Sequence, residues 1–203
     1  MIRRVQFSLN ESNQGKLSQL SKVMDESLRV LNLYIEDFWS KKENNKFASI
    51  KVQTWLSARL QQCLIKQASE AVKSQHKKQK KVKPTIRSQT INLDERFVRI
   101  AEDVNSFDVW IHLRSLGGII LDLPARKHKH FLKFRNDGWS LRKGGRLRKT
   151  DKGWFFDVYF EKTEPPKKTL GSLIGIDAGY LKLIVSSDGK VCDVGLKDVY
   201  LKI

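Results

Sequence analysis

GWFFDVYFE, residues 153–161, sets Trp154, Phe156, Val158 and Phe160 on one side of an extended chain and Phe155 and Tyr159 on the other. Patterning of period two is a strand signal, not a helical one. The first set is read as core, and the second as a face on which nucleic-acid bases could stack. Upstream, the same short β-branched or aromatic segments recur around Ile86–Leu93, Phe97–Ala101, Phe107–Leu113, Gly118–Leu123, His130–Phe134 and Trp139–Leu147. Turn signals separate them at Gly117-Gly118, Asp137-Gly138, Gly144-Gly145 and Asp151-Lys152-Gly153. Strands at this spacing predict a small barrel or sandwich.

Further toward the N-terminus the period changes. IRRVQFSL, residues 2–9, alternates Val5, Phe7 and Leu9 with polar residues and reads as another strand. Leu17, Leu20, Met24, Leu28, Leu31, Ile35 and Phe38 then fall three or four apart, the stripe of an amphipathic helix whose cap lies within Asn10 to Gln14. After the polar KKENNK turn a second stripe runs through Val52, Trp55, Leu56, Leu60, Cys63, Leu64, Ala68, Ala71 and Val72. Its tail carries Lys73, His76, Lys77, Lys78, Lys80, Lys81 and Lys83 with no acid among them, and Pro84 is expected to end it. On the C-terminal side, Pro165-Pro166-Lys167-Lys168 reads as a linker. Leu173–Gly179, Leu181–Ser187 and Lys190–Val194 follow as strand-like pieces, the last two joined by the Asp188-Gly189 hairpin signal. No internal repeat is evident.

The chain has 203 residues, 40% hydrophobic and 30% charged, which suits one or two packed domains. No apolar run is long enough for a membrane span or a signal peptide, and Cys63 and Cys192 form no CxxC, so a cytoplasmic protein without a disulfide framework or zinc knuckle is expected. The net charge of +17 is unevenly spread: the excess of Lys and Arg over Asp and Glu is +2 in residues 1–50, +9 in 51–100, +6 in 101–150 and zero in 151–203. A positive field in the middle of a chain, interleaved with aromatics, points to a polyanionic partner such as nucleic acid. The lysine tail and the five cations Arg142, Lys143, Arg146, Arg148 and Lys149, read as the tip of a hairpin about Gly144-Gly145, are the candidate phosphate contacts. Arg3 and Arg4 are weaker candidates of the same kind. His128-Lys129-His130 is read as a strand facing solvent or phosphate, not as a metal site.

Asp177 is the candidate for chemistry. It stands on an apolar strand, in GIDAG (residues 175–179), where a carboxylate needs a cation or hydrogen bonds to compensate its burial. Such a strand followed by a hairpin opens RNase H-like domains, whose first Asp binds divalent metal, and also opens actin-like and sugar-kinase ATPases, whose hairpin approaches nucleotide phosphate. The order of the chain separates the two, because about 170 basic, helical and β residues precede the motif here and the ATPases begin with it. Asp188 is explained by its turn, and Asp193 and Asp198 lack the spacing of ligands.

Taken in order, IRRVQFSL, LNLYIEDFW (31–39), LSARLQQCLIKQASEAVKS (56–74), INLDERFVRI (91–100), GWFFDVYFE and IGIDAGYLKLIVSSDGK (174–190) resemble the N-terminal part of TnpB, the transposon-encoded RNA-guided DNA endonucleases, and of the similar compact type V CRISPR effectors. The resemblance implies an α+β chain. Residues 1–10 and 85–164 would form a wedge-type, OB-like β-barrel, 11–83 a helical recognition insertion, 165–169 a linker, and 170–203 the first strands of an RNase H-like RuvC nuclease domain. It further implies guide RNA and target DNA as partners, no membrane, and Asp177 as one catalytic ligand of Mg²⁺. The family's further Glu and Asp and its Cys-rich zinc insertion have no counterpart in these residues, so this chain is expected not to cleave alone. A fragment of a longer nuclease is the expectation, since family sequences continue from the LKDVYLKI region (196–203) into a helix. A naturally truncated, nuclease-deficient RNA- or DNA-binding module is the alternative, and an actin-like phosphotransferase fragment fits less well.

Overall fold

A computed structural model describes residues 1–41, 48–104, 106–164, 175–177 and 184–192. The fold is α+β, with three helices and antiparallel sheets among these residues. It divides into two compact units, Met1–Thr163 and Glu164–Ile203.

Strand β8 (Gly153–Glu161) is the axis of the first unit. It pairs antiparallel with β1 (Ile2–Ser8) on one side and with β7 (Gly145–Thr150) and the short β6 (Ser140–Leu141) on the other, and β7 continues to β2 (Thr90–Leu93). The period-two pattern is realised: Trp154, Phe156, Val158 and Phe160 are buried against Val5, Phe7 and Leu9 of the first strand, while Phe155 and Tyr159 are half-buried on the opposite face. Side chains of this size contribute about 1.5–3 kcal/mol each when fully buried.

Helix α1 (Gln14–Ser40) is capped by Asn13, whose Oδ1 accepts from the Lys16 amide at 2.9 Å, and buries Leu20, Met24, Leu31, Ile35 and Phe38 along its expected stripe. Helix α2 begins later than the stripe suggests, at Ala58 with Ser57 as its cap, and runs to His76. Leu60, Leu64, Ala68 and Val72, four apart, form its buried line. The expected continuation of this helix to Pro84 does not form. Beyond His76 the lysines have no apolar partner to bury and repel one another at helical spacing, and packing is what sustains a helix in water.

The second sheet comprises β3 (Val98–Val104), β4 (Phe107–Leu113) and β5 (Leu121–Ala125), with Pro124 on its edge strand. No ladder joins it to the first sheet, so the described residues do not close a barrel. The chain changes sheet at residues 94–97, where the Phe97 amide donates to the Asp94 carbonyl at 3.1 Å and Arg96 grips the Asp94 carboxylate at 2.5 Å. Residues 130–134, expected as a strand, belong to helix α3 (Lys129–Asn136). Its Phe131 and Phe134, one turn apart, pack on Phe160 with ring centroids at 5.4 and 5.8 Å, so two aromatics that composition assigned to a strand instead share one helical face.

In the second unit β9 (Ile176–Asp177), β10 (Ile184–Ser186) and β11 (Val191–Cys192) form an antiparallel sheet in the order β11-β10-β9. Asp188 and Gly189, at φ +84°, turn β10 into β11 as the hairpin signal predicts.

Candidate nucleic-acid interface

The lysine-rich segment is an arch fixed at both ends. Lys73 lies in the last turn of α2, where the helix dipole favours a cation, and Lys77 is the C-cap. Further along, Asn32 of α1 clamps Ile86 by two backbone hydrogen bonds of 2.9 Å, and Lys83 pairs with Glu36 at 2.6 Å. Between these anchors Lys77, Lys78, Lys80 and Lys81 are exposed and have no ion-pair partner among the described residues. A tethered run of free ammonium groups can follow a phosphate backbone with little loss of backbone entropy.

The five cations about Gly144-Gly145 are not at a hairpin tip. Strands β6 and β7 lie end to end along the same edge of β8: between Leu141↔Phe160 and Arg146↔Asp157, residues 142–145 stand opposite only residues 158–159. The excess is taken up as a bulge. Gly144 has φ +83°, and a Cβ there would lie 2.6 Å from the Leu93 carbonyl oxygen; a Cβ on Gly145 would lie 2.5 Å from the Phe156 ring. Only glycine fits both demands, so the pair that resembled a turn instead bends a strand.

This geometry separates the cations. Arg148 makes a bidentate pair with Asp157 at 2.9 and 3.1 Å, donates to Gln6 Oε1 at 2.8 Å, and lies 6.0 Å from the Phe155 ring centroid. The Asp157 side chain is wholly covered, with Arg4 adding a contact at 3.6 Å. Arg146 donates to Asn92 Oδ1 at 2.8 Å. Lys149 points the other way, to Ser21 Oγ at 3.3 Å and over Trp154 at 5.3 Å. Arg142 and Lys143 remain at the surface in exposed pairs with Glu161 and Glu95, each at 3.3 Å. Of the five, those two are available to a ligand, Arg146 and Arg148 are committed to the outer sheet face, and Lys149 serves the contact with α1.

Sequence reasoning missed Arg99. It is exposed on β3 and has no side-chain partner among the described residues. The alternation of Val98, Arg99 and Ile100 was the available signal. His128, far from a strand, precedes α3 and places its Nε2 3.0 Å from the Gln6 carbonyl oxygen, with its ring against Phe7. Cys63 is half-buried; burial and the neighbouring Asp94 carboxylate both push its thiol above the ordinary range, which disfavours a nucleophilic role.

In comparisons with known proteins, no family model and no curated sequence matches the chain significantly. The assignment of a role therefore rests on the residues themselves.

For the candidate chemistry, Asp177 lies at the end of β9 with its backbone opposite Val185. Asp188 sits in the β10–β11 turn, accepts from Ser186 Oγ and pairs with Lys190 at 3.4 Å; the Ser186 hydrogen bond lowers its pKa. Asp193, Asp198 and the linker 165–169 lie outside the described residues. Among the described residues no three His, Cys, Asp or Glu side chains converge on a point, and no helix is long and apolar enough to cross a membrane.

Proposed function

We propose that this chain is the N-terminal part of an RNA-guided DNA endonuclease of the TnpB type, with residues 1–163 binding guide RNA and its duplex with target DNA. The observation that carries the reading is the pinned arch of unpaired lysines from Lys77 to Lys81, set in a chain of net charge +17 whose last segment, 151–203, is electrically balanced. Positive charge kept apart, along the chain, from the Asp177 hairpin is what a division between binding and cutting requires. In this reading the wedge-type barrel corresponds to the two open sheets of the first unit, and β9 to β11 are the opening strands of the RuvC domain. Asp177 would be one Mg²⁺ ligand, and that metal would supply an activated water and charge stabilisation at the phosphodiester. One carboxylate does not hold a two-metal centre, so cleavage by this chain alone is not expected.

A nuclease-deficient binding module would use the same surfaces and leave Asp177 without a role. The actin-like phosphotransferase reading is disfavoured by the charge. The test is fluorescence anisotropy with labelled single-stranded RNA and an RNA–DNA hybrid, at about 50 and about 200 mM salt. Affinity should fall by orders of magnitude across that range, and Asp177→Ala should leave it unchanged. Binding that ignores salt would refute the reading, and ATP-competable phosphate binding lost in Asp177→Ala would favour the phosphotransferase.

A further inference from the structure

The two sheets fail to close along one seam, and that seam is lined like a binding site. Strand β3 pairs only with β4, and β6 pairs only with β8, so each keeps a free backbone edge among the described residues. A groove of about 580 Å³ lies there, with Val98, Ile100 and Leu141 for an apolar floor and Arg96, Arg99, Arg142 and Lys143 about it. Glu95 is the single acid among the described residues of the lining. The Gly144 bulge lies at its edge: the Arg142 amide still donates to the Tyr159 carbonyl at 2.8 Å, and the excess residues between there and Arg146 have no pairing on β8.

The chemistry of the lining is that of a nucleotide: a flat, largely apolar base edged by hydrogen-bonding atoms, attached to an anionic phosphate. We infer that the groove is a subsite for one nucleotide of a single-stranded nucleic acid, the base lying on Val98, Ile100 and Leu141 and the flanking phosphates meeting Arg99, Arg142 and Lys143. This deepens the proposed function and rests on it. Arg99 is free to bind without first breaking a contact. Arg142 and Lys143 give up only exposed, solvent-screened ion pairs in exchange for phosphate. Arg96 is held by Asp94, whose carboxyl its hydrogen bond lowers below the usual range, so Arg96 walls the groove and does not take the ligand. The free edges offer hydrogen bonds to a base whatever its identity, so the subsite should accept any of the four with modest preference. An acidic peptide adding a strand to the β3 edge is the competing occupant; an apolar patch of Val98, Ile100 and Leu141 together with several separately placed cations favours the nucleotide.

The experiment uses the full chain and a fluorescein-labelled oligouridylate carrying 4-thiouridine. Photocrosslinks should map to residues 98–100 and 141–144. Arg99→Ala should weaken binding about tenfold, the loss of one charge-assisted hydrogen bond, with Arg99→Lys recovering part of it and neither changing the melting temperature. RNA binding that survives Arg99→Ala, with crosslinks confined to the lysine arch, would overturn the groove assignment and leave the nucleic-acid reading standing. No RNA binding by the wild type would overturn both. Saturable binding of polyglutamate that Arg99→Ala abolishes, without RNA binding, would assign the seam to a protein strand instead.

Discussion

Arg148 braces the sheet while Arg142 faces solvent, and what stands opposite each of them makes the difference. Arg148 meets the fully covered carboxylate of Asp157, so removing Arg148 leaves that buried charge with only the 3.6 Å contact of Arg4, and removing Asp157 leaves the partly exposed guanidinium with Gln6. Asp157→Ala should therefore cost about 3 kcal/mol in denaturant unfolding, and Arg148→Ala should also destabilise, which would make loss of RNA binding in that variant a folding effect. Arg142→Ala combined with Lys143→Ala should stay within about 0.5 kcal/mol of the wild type in the same measurement. Asp37 supplies a pH signature. Burial opposes its charge, but hydrogen bonds from Lys41 at 2.8 Å and from the Ser49 amide at 2.9 Å and hydroxyl outweigh that and hold its pKa below the ordinary value. A lowered folded pKa means that the unfolded chain binds more protons, so this stabilisation is complete above the ordinary carboxylate pKa of about 4 and is lost as pH falls from there through the folded value. Asp37→Asn should be about 2 kcal/mol less stable at neutral pH and should show a shallower acid limb when unfolding midpoints are measured against pH.

At the scale of elements, the arch between α2 and β2 is the feature that a sequence pattern could locate but not shape. Helix α2 stops where its buried line of Leu60, Leu64, Ala68 and Val72 stops, and the segment beyond it is held at its far end by α1, through Asn32 on the Ile86 backbone and Glu36 on Lys83, instead of by helical hydrogen bonds. Neutralising Lys77, Lys78, Lys80 and Lys81 to Gln should thus leave the circular dichroism spectrum and melting temperature unchanged. The slope of log affinity for single-stranded RNA against log salt should become shallower by about 3, at roughly 0.7 for each phosphate that a lysine no longer neutralises. An unchanged slope would remove the arch from the interface. The bulge between β6 and β7 teaches the same lesson from the other side. Gly144-Gly145 carries every mark of a turn, yet its glycines serve close approach to Leu93 and Phe156, neighbours supplied by strands β2 and β8.

At the scale of the whole molecule, the chain consists of two units of very different size, and the proposed RNA binding concerns the first. Residues 1–163 expressed alone should fold cooperatively, with the core running unbroken from Val5 through the helices and both sheets to Phe160. They should bind RNA as tightly as the full chain. A tenfold weaker affinity would mean that the second unit contributes to the binding surface.

The sequence by itself determined the local grammar: the capped amphipathic helix from Gln14, the apolar line of α2, the buried apolar face of GWFFDVYFE, the turn at Asp188-Gly189 and the concentration of charge in residues 51–150. Each follows from neighbours within a few residues or from composition, which a one-dimensional reading contains. Tertiary structure decided that residues 130–134 are helical, that the sheets of the first unit remain two among the described residues, with an open seam, and that of the five cations around Gly144-Gly145 Arg142 and Lys143 lie at the surface in exposed ion pairs. These outcomes depend on which side chain stands across the sheet or beneath the helix. Asp157 opposite Arg146 and beside Arg148, and Phe160 beneath Phe131 and Phe134, are neighbours only after the chain has folded.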